Sequence, residues 1–301
     1  MLSLKIKDIT FKSPIIAASG TFGYGNEVEK IVDMSKIGCV ITKSITVEKR
    51  EGNSHPRIHE SSSGMLNSIG LANVGMNNFC NQKILELNDL DTHFIVSIAG
   101  STLDDYIQVL DAIENSKGQH VGYEINVSCP NVKEGGMEFG INKDMVFELT
   151  SKLKEITNKI LIIKLSPNVT SIEDIALSAE SAGADAISAV NTFLGTSIDY
   201  KTGKFTLNTK FGGLSGPPIK PLALAKIYKI YNNINIPIIG MGGISNFSDI
   251  IEFLRLGSSM VQIGTLNYRD PSIICKFYDQ LKDFMIKNKI NDITDLIGDC
   301  K

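Results

Sequence analysis

Three features point to an α/β chain closed into a (β/α)8, or TIM, barrel. Eight short, continuously apolar runs recur along the chain, amphipathic stretches fill the seven gaps between them, and one more such stretch follows the last run. Runs that are apolar throughout, rather than alternating, suit parallel strands covered on both faces. Eight strand-plus-helix units close such a sheet.

The alternating start, "LSLKIKDITFK", reads as a small β-hairpin plugging the barrel floor. The apolar runs are 14–18, 39–42, 94–98, 123–127, 160–165, 184–190, 237–241 and 260–263. Helices are expected over 27–35, 77–87, 103–115, 143–157, 172–182, 221–231, 248–256 and 271–287. The connections after the second and sixth strands, 43–75 and 191–221, far exceed the roughly 2–6 residues usual for such loops. Their glycines, asparagines and apolar residues mark them as folded, functional insertions. No linker, repeat or low-complexity tract divides the chain, so 1–301 is expected to be one domain.

Composition narrows the function. The chain is 43% apolar and 21% charged with a net charge of -3, an ordinary globular balance without the basic footprint of a nucleic-acid or anionic-membrane binder. No apolar run approaches the ~20 residues that span a bilayer, and the first residues lack a signal-peptide block, so a cytoplasmic protein is expected. The cysteines (Cys39, Cys80, Cys129, Cys275, Cys300) are odd in number with no CxxC spacing, against a disulfide framework, zinc or an iron–sulfur cluster built by this chain alone. His55, His59, His93 and His120 show no metal-like spacing and are read as ordinary surface histidines.

In a barrel of this kind, chemistry sits at the carboxyl ends of the strands. Glycines in "IGMGGI" and "IGT", after the seventh and eighth runs, let backbone approach a ligand at helix N-termini and suit a phosphate. Lys43 and Lys164 end apolar strands, in "VITKS" and "IIKLSP". A lysine there implies an anionic ligand, a Schiff base or a snorkelling side chain. Cys129 sits on the lip of the fourth strand, before a loop that Gly135 and Gly136 make mobile. The alternative for any lone cysteine is a small buried hydrophobe, the reading given to Cys39, Cys80 and Cys275.

A set of motifs in order carries a resemblance along essentially the whole chain. They are "ASGTFGYG" (18–25), "TKSIT" (42–46), "NSIGLAN" (67–73), "EINVSCPNVKEGGMEFG" (124–140), "IKLSPNVT" (163–170), "NT" (191–192), "GGLSGP" (212–217), "GMGGI" (240–244) and "IGT" (263–265). The chain resembles the class 1 dihydroorotate dehydrogenases. The resemblance implies FMN and the oxidation of dihydroorotate to orotate in pyrimidine biosynthesis. It implies Cys129 as catalytic base, with Lys43 also at the reaction. Substrate contacts fall on Lys43, Asn67, Ser68, Ile69, Gly70, Leu71, Asn126, Asn191 and Thr192. FMN contacts fall on Ser19, Lys43, Ser44, Asn126, Lys164, Val190, Gly216, Gly242, Gly243, Gly264 and Thr265. No metal ligand is implied. Ser97 departs from the family, which usually has asparagine there; the shorter serine would reach the flavin directly or through water.

Within the family, Cys129 and the short N-terminus argue against the membrane-linked quinone class, which normally uses serine. Ala72 stands where the fumarate-using branch has proline, and "NVKEGGMEFG" resembles the NAD-linked branch. That branch works with an electron-transfer subunit carrying FAD and a 2Fe-2S cluster, around a homodimer core in a heterotetramer. The chain has no GxGxxG after a strand for NAD and no cysteine set for a cluster. The fumarate-dependent enzyme and a non-redox, phosphate-binding aldolase barrel are the alternatives.

Overall fold

The computed structural model describes residues 1–127 and 139–300; Cys129, Gly135 and Gly136 lie outside the described residues. In chain order the strands are β1 (Leu4–Ile6), β2 (Ile9–Phe11), β3 (Ile15–Ala17), β4 (Cys39–Ile41), β5 (Ile58–Glu60), β6 (Met65–Asn67) and β7 (His93–Ile98). They continue with β8 (Gly122–Asn126), β9 (Ile160–Lys164), β10 (Ala186–Ala189), β11 (Phe193–Thr196), β12 (Phe211–Ser215), β13 (Ile238–Met241) and β14 (Met260–Ile263). The helices are α1 (Gly75–Asn78), α2 (Ile84–Leu87), α3 (Leu103–Glu114), α4 (Lys143–Ile156), α5 (Ile172–Ser181), α6 (Lys220–Tyr231), α7 (Phe247–Arg255) and α8 (Ile273–Lys287).

The eight apolar runs supply the strands of a closed parallel barrel, ordered β10-β13-β14-β3-β4-β7-β8-β9. These strands are buried on both faces, as in β9, where Ile160 to Lys164 are all buried. Removing that apolar surface from water, at ~25 cal/mol per Å², is the main force holding sheet to helices. The β1–β2 hairpin closes the amino-terminal end. Leu4, Ile6 and Phe11 are buried, Phe11 packs edge-on against His93 at the start of β7, and Lys7 Nζ reaches the Asn158 carbonyl just before β9.

The two long insertions are more ordered than loops. They form a four-stranded antiparallel sheet, β11-β12-β6-β5. Register pairs Ile58 with Asn67, Asn67 with Gly213 and Gly213 with Leu194, so these four share one face.

The structure corrects three expectations. Segment 27–35 is not a helix but two 3-10 turns, Asn26–Val28 and Met34–Lys36. The Glu27 carboxylate turns back to accept from Tyr24 N (2.9 Å) and Gly25 N (3.0 Å), and Asp33 caps a fresh turn by accepting from Ser35 N. Ile31 is left exposed while Val32 and Met34 are buried. His120 is not a surface residue; it is buried under α3, its ring beside Phe94 and Tyr123. Cys39 is fully buried as expected, whereas Cys80 and Cys275 are only half-buried at the edge of the core. The helix over 77–87 includes one π turn, Phe79–Lys83, between α1 and α2.

Candidate active site

A cavity of about 400 Å³ opens at the carboxyl-terminal mouth of the barrel, lined by strand ends and by the insertion sheet. Ser19 follows β3 and Ser44 follows β4; their hydroxyls are 3.5 Å apart. Ser97, on β7, stands one hydroxyl behind this wall. It is fully buried, 2.8 Å from Ser44 Oγ, and its N–H donates to Thr42 Oγ1. Ser97, expected to contact FMN directly or through water, thus stands behind Ser44 and does not itself line the cavity.

Lys43, next to Ser44, projects half-buried into the cavity. Burial pushes its ammonium below the usual lysine range, Arg57 adds repulsion, and Glu27 opposes both. The segment from Asn67 to Leu71 lines the same side. Asn53 holds it: Asn53 N donates to the Ile69 carbonyl (2.9 Å) and Asn53 Nδ2 to the Ser68 carbonyl (2.9 Å). Gly70 has φ +77°, and a Cβ there would stand 2.7 Å from Asn53, so only glycine fits.

Asn126 at the end of β8 and Lys164 at the end of β9 are register partners, and Lys164 also pairs with Ser188 on β10. Asn191 donates from Nδ2 to Asn126 Oδ1 at 3.2 Å, and its own Oδ1 accepts from Thr192 N at 2.8 Å. The two asparagines are thus locked side by side, with Val190 and Thr192 beside them in the wall. Asn168 pins the segment that follows, donating to the Thr192 carbonyl (3.1 Å) and accepting from Leu194 N (3.0 Å).

Opposite lies a backbone cradle. Gly216, Gly242 and Gly243 have φ of +91°, +118° and +80°, conformations that side-chain-bearing residues rarely adopt. Gly264 and Thr265 complete it at the end of β14.

The mouth therefore gathers every sequence-predicted site residue except Ser97, which is set back, and Cys129, which lies outside the described residues. Sequence reasoning missed Asn53 and Asn168, which brace the walls, and Gln262 and Arg269, which line the cavity. It also missed Glu124, fully buried and 3.3 Å from Lys164 Nζ. Asn168 lay within a quoted motif and next to a strand end, the signal that could have found it.

A family model described as dihydroorotate dehydrogenase matches residues 1–285. The chain is 42% identical over 297 residues to a Bacteroides fragilis protein named dihydroorotate dehydrogenase B (NAD(+)), catalytic subunit, covering 99% of this chain and 98% of that one. A Malacoplasma penetrans protein of the same name is 44% identical over 297 residues, covering 99% and 97%. Among solved structures, a dihydroorotate dehydrogenase from Eimeria tenella, crystallised with ferulenol, matches with a TM-score of 0.82 at 22% identity. That match covers 99% of this chain and 88% of the other, and is a likeness of fold.

Proposed function

Because this chain belongs to the dihydroorotate dehydrogenase family, we propose that it is the catalytic subunit of an NAD-linked enzyme that oxidises (S)-dihydroorotate to orotate in pyrimidine biosynthesis. FMN is its bound cofactor, and electrons leave through a separate subunit carrying FAD and a 2Fe-2S cluster. The single observation that carries the reading is convergence. Lys43, Lys164, the locked pair Asn126–Asn191 and a glycine cradle all face one cavity.

The residues present fit FMN. The cradle of Gly216, Gly242, Gly243 and Gly264 suits its phosphate. Lys164 offers fixed positive charge to the ring, and Gln262 Oε1, buried and without a hydrogen-bond partner among the described residues, offers an acceptor to ring N–H. When bound, FMN accepts the hydride that leaves the substrate carbon. The protein does the rest. Lys43 and the asparagines orient an anionic ring bearing amide donors and acceptors, since an amide side chain can both give and take hydrogen bonds. Lys164 stabilises negative charge that develops during reduction. The Cys129 thiolate takes the proton at Sγ; with a free-thiol pKa near ~8.5, that step quickens toward mildly alkaline pH.

The relatives' name, catalytic subunit, supports a partner. Among the described residues no helix is long and apolar enough to cross a membrane. The assembly proposed is a homodimer of this one-domain chain flanked by two electron-transfer subunits, in the cytoplasm. In the deciding test the purified protein is yellow, and with its partner it reduces NAD+ on addition of dihydroorotate. A colourless preparation that binds no flavin overturns the reading.

A further inference from the structure

Beneath the cavity floor the barrel holds a carboxylate that the reaction above leaves unused. Glu124 is 0% exposed and lies on β8 two residues before Asn126, on the same inward face. Its Oε2 accepts from Ser188 Oγ at 2.9 Å and from Gln262 Nε2 at 2.6 Å. Its Oε1 makes no hydrogen bond among the described residues and faces Lys164 Nζ at 3.3 Å. Glu124 on β8, Lys164 on β9, Ser188 on β10 and Gln262 on β14 thus form one polar cluster inside the barrel.

Stability does not account for this arrangement. A buried ion pair is often no more stabilising than apolar side chains of the same volume, because both charges lose their hydration. The cluster has a direction, however. Lys164 and Gln262 line the cavity, and Glu124 stands behind both. Donating its amide N–H to Glu124 fixes which way Gln262 points and leaves its Oε1 free for a ligand.

We propose that Glu124 is a positioning residue of the cofactor site, holding the Lys164 ammonium at the cavity floor and offsetting part of the positive charge that Lys164 presents to the flavin. The proposal deepens the FMN reading and rests on it. Lys164 favours negative charge on the ring. Glu124, fixed behind it, opposes that charge, so the pair sets the flavin midpoint potential rather than merely binding the cofactor. Ser188 and Gln262 hold the carboxylate in place behind Lys164 by donating to it.

The test is a spectroelectrochemical titration of purified, FMN-loaded protein. Glu124→Gln keeps volume and hydrogen-bonding reach but removes the charge. It is expected to raise the midpoint potential, with the reduced-to-oxidised ratio at fixed ambient potential rising about tenfold, ~30 mV for a two-electron couple. Lys164→Ala moves the potential the other way, and Glu124→Asp, which retains the charge, returns it toward wild type. An unmoved or lowered potential in folded, flavin-bearing Glu124→Gln overturns the proposal alone. If Glu124→Gln does not fold, Ser188→Ala carries the test. Losing one of the two hydrogen bonds that hold the carboxylate against Lys164 lets it move away, so the potential rises by less, and no movement overturns the proposal. A wild type that binds no flavin overturns the parent reading and this one together.

Discussion

Replacing the Cys129 thiol with a hydroxyl is expected to separate binding from proton transfer, if Cys129 is the base proposed above. Cys129→Ser is expected to bind FMN and orotate normally yet to reduce its flavin at least ~100-fold more slowly at neutral pH, since a positioned base typically contributes 10²–10⁴-fold. Stopped-flow absorbance measures this, and near-normal reduction removes Cys129 from the mechanism. His120 has a different part to play, in stability. The Tyr123 hydroxyl donates to Glu114 Oε2 and so accepts from His120 Nε2–H at 2.7 Å, leaving His120 Nδ1 buried without a hydrogen-bond partner among the described residues. Burial, reinforced by Lys159 and opposed by Glu114, lowers the imidazole pKa from 6.5 to about 4. A histidine whose pKa is depressed on folding takes up its proton more readily when unfolded. Its contribution is present above pH ~6.5 and is lost as pH falls toward ~4, to an extent of roughly 3 kcal/mol. His120→Gln, which keeps a donor for Tyr123 but does not titrate, is expected to flatten the fall in melting temperature between those pH values. An unchanged pH–melting curve would show that His120 is not the group responsible.

The turn from β13 into α7 shows how one element sets a binding surface. Asn246 accepts from Asp249 N, and Asp249 Oδ2 accepts from the backbone N–H groups of Ser245 and Asn246, a capping box worth ~1 kcal/mol. Lys220 Nζ, from the first turn of α6, is 2.7 Å from Asp249 Oδ1, tying the two helix starts together under the glycine cradle. A methyl group at Gly243 would stand 2.6 Å from Lys220 N, on a backbone already at φ +80°. Gly243→Ala is therefore expected to lose most bound FMN while melting only a few degrees lower; full flavin content would show that the cradle tolerates the change. The barrel strands were legible in the sequence because a continuous apolar run is a local signal. Segment 27–35 misled because its apolar residues have helix-like spacing, while Glu27 and Asp33 bond to nearby backbone instead. The insertion sheet was hidden because its pairing joins Leu66 to Leu214, far apart in the chain. Glu124 was hidden for the same kind of reason. In "YEIN" it is one polar residue in a strand, and its partners Lys164, Ser188 and Gln262 come from three other strands.

The barrel as a whole constrains how electrons can leave. Its amino-terminal end is closed by the β1–β2 hairpin, with Leu4, Ile6 and Phe11 buried against it, and the cavity opens at the opposite end. A flavin held between Lys164 and the glycine cradle would thus hand its electrons on near the mouth or through the barrel wall, not across the hairpin floor. The proposed partner with FAD and an iron–sulfur cluster would then dock away from the hairpin floor, close enough for its own cofactor to approach the ring. Co-expression with a flavin and iron–sulfur protein encoded nearby is expected to yield a co-purifying complex that reduces NAD+ with dihydroorotate, while this chain alone does not. Placement can be checked in the same assay. Lys5→Glu and Asp8→Lys, on the hairpin, are expected to leave partner-dependent NAD+ reduction unchanged, because the hairpin lies at the end of the barrel opposite the cavity. Loss of NAD+ reduction in these variants, with flavin reduction by dihydroorotate intact, would put the partner on the floor and contradict the exit route. If the chain by itself reduces fumarate efficiently and nothing co-purifies, electrons leave directly to a small acceptor entering the mouth, and the fumarate-using branch describes the enzyme.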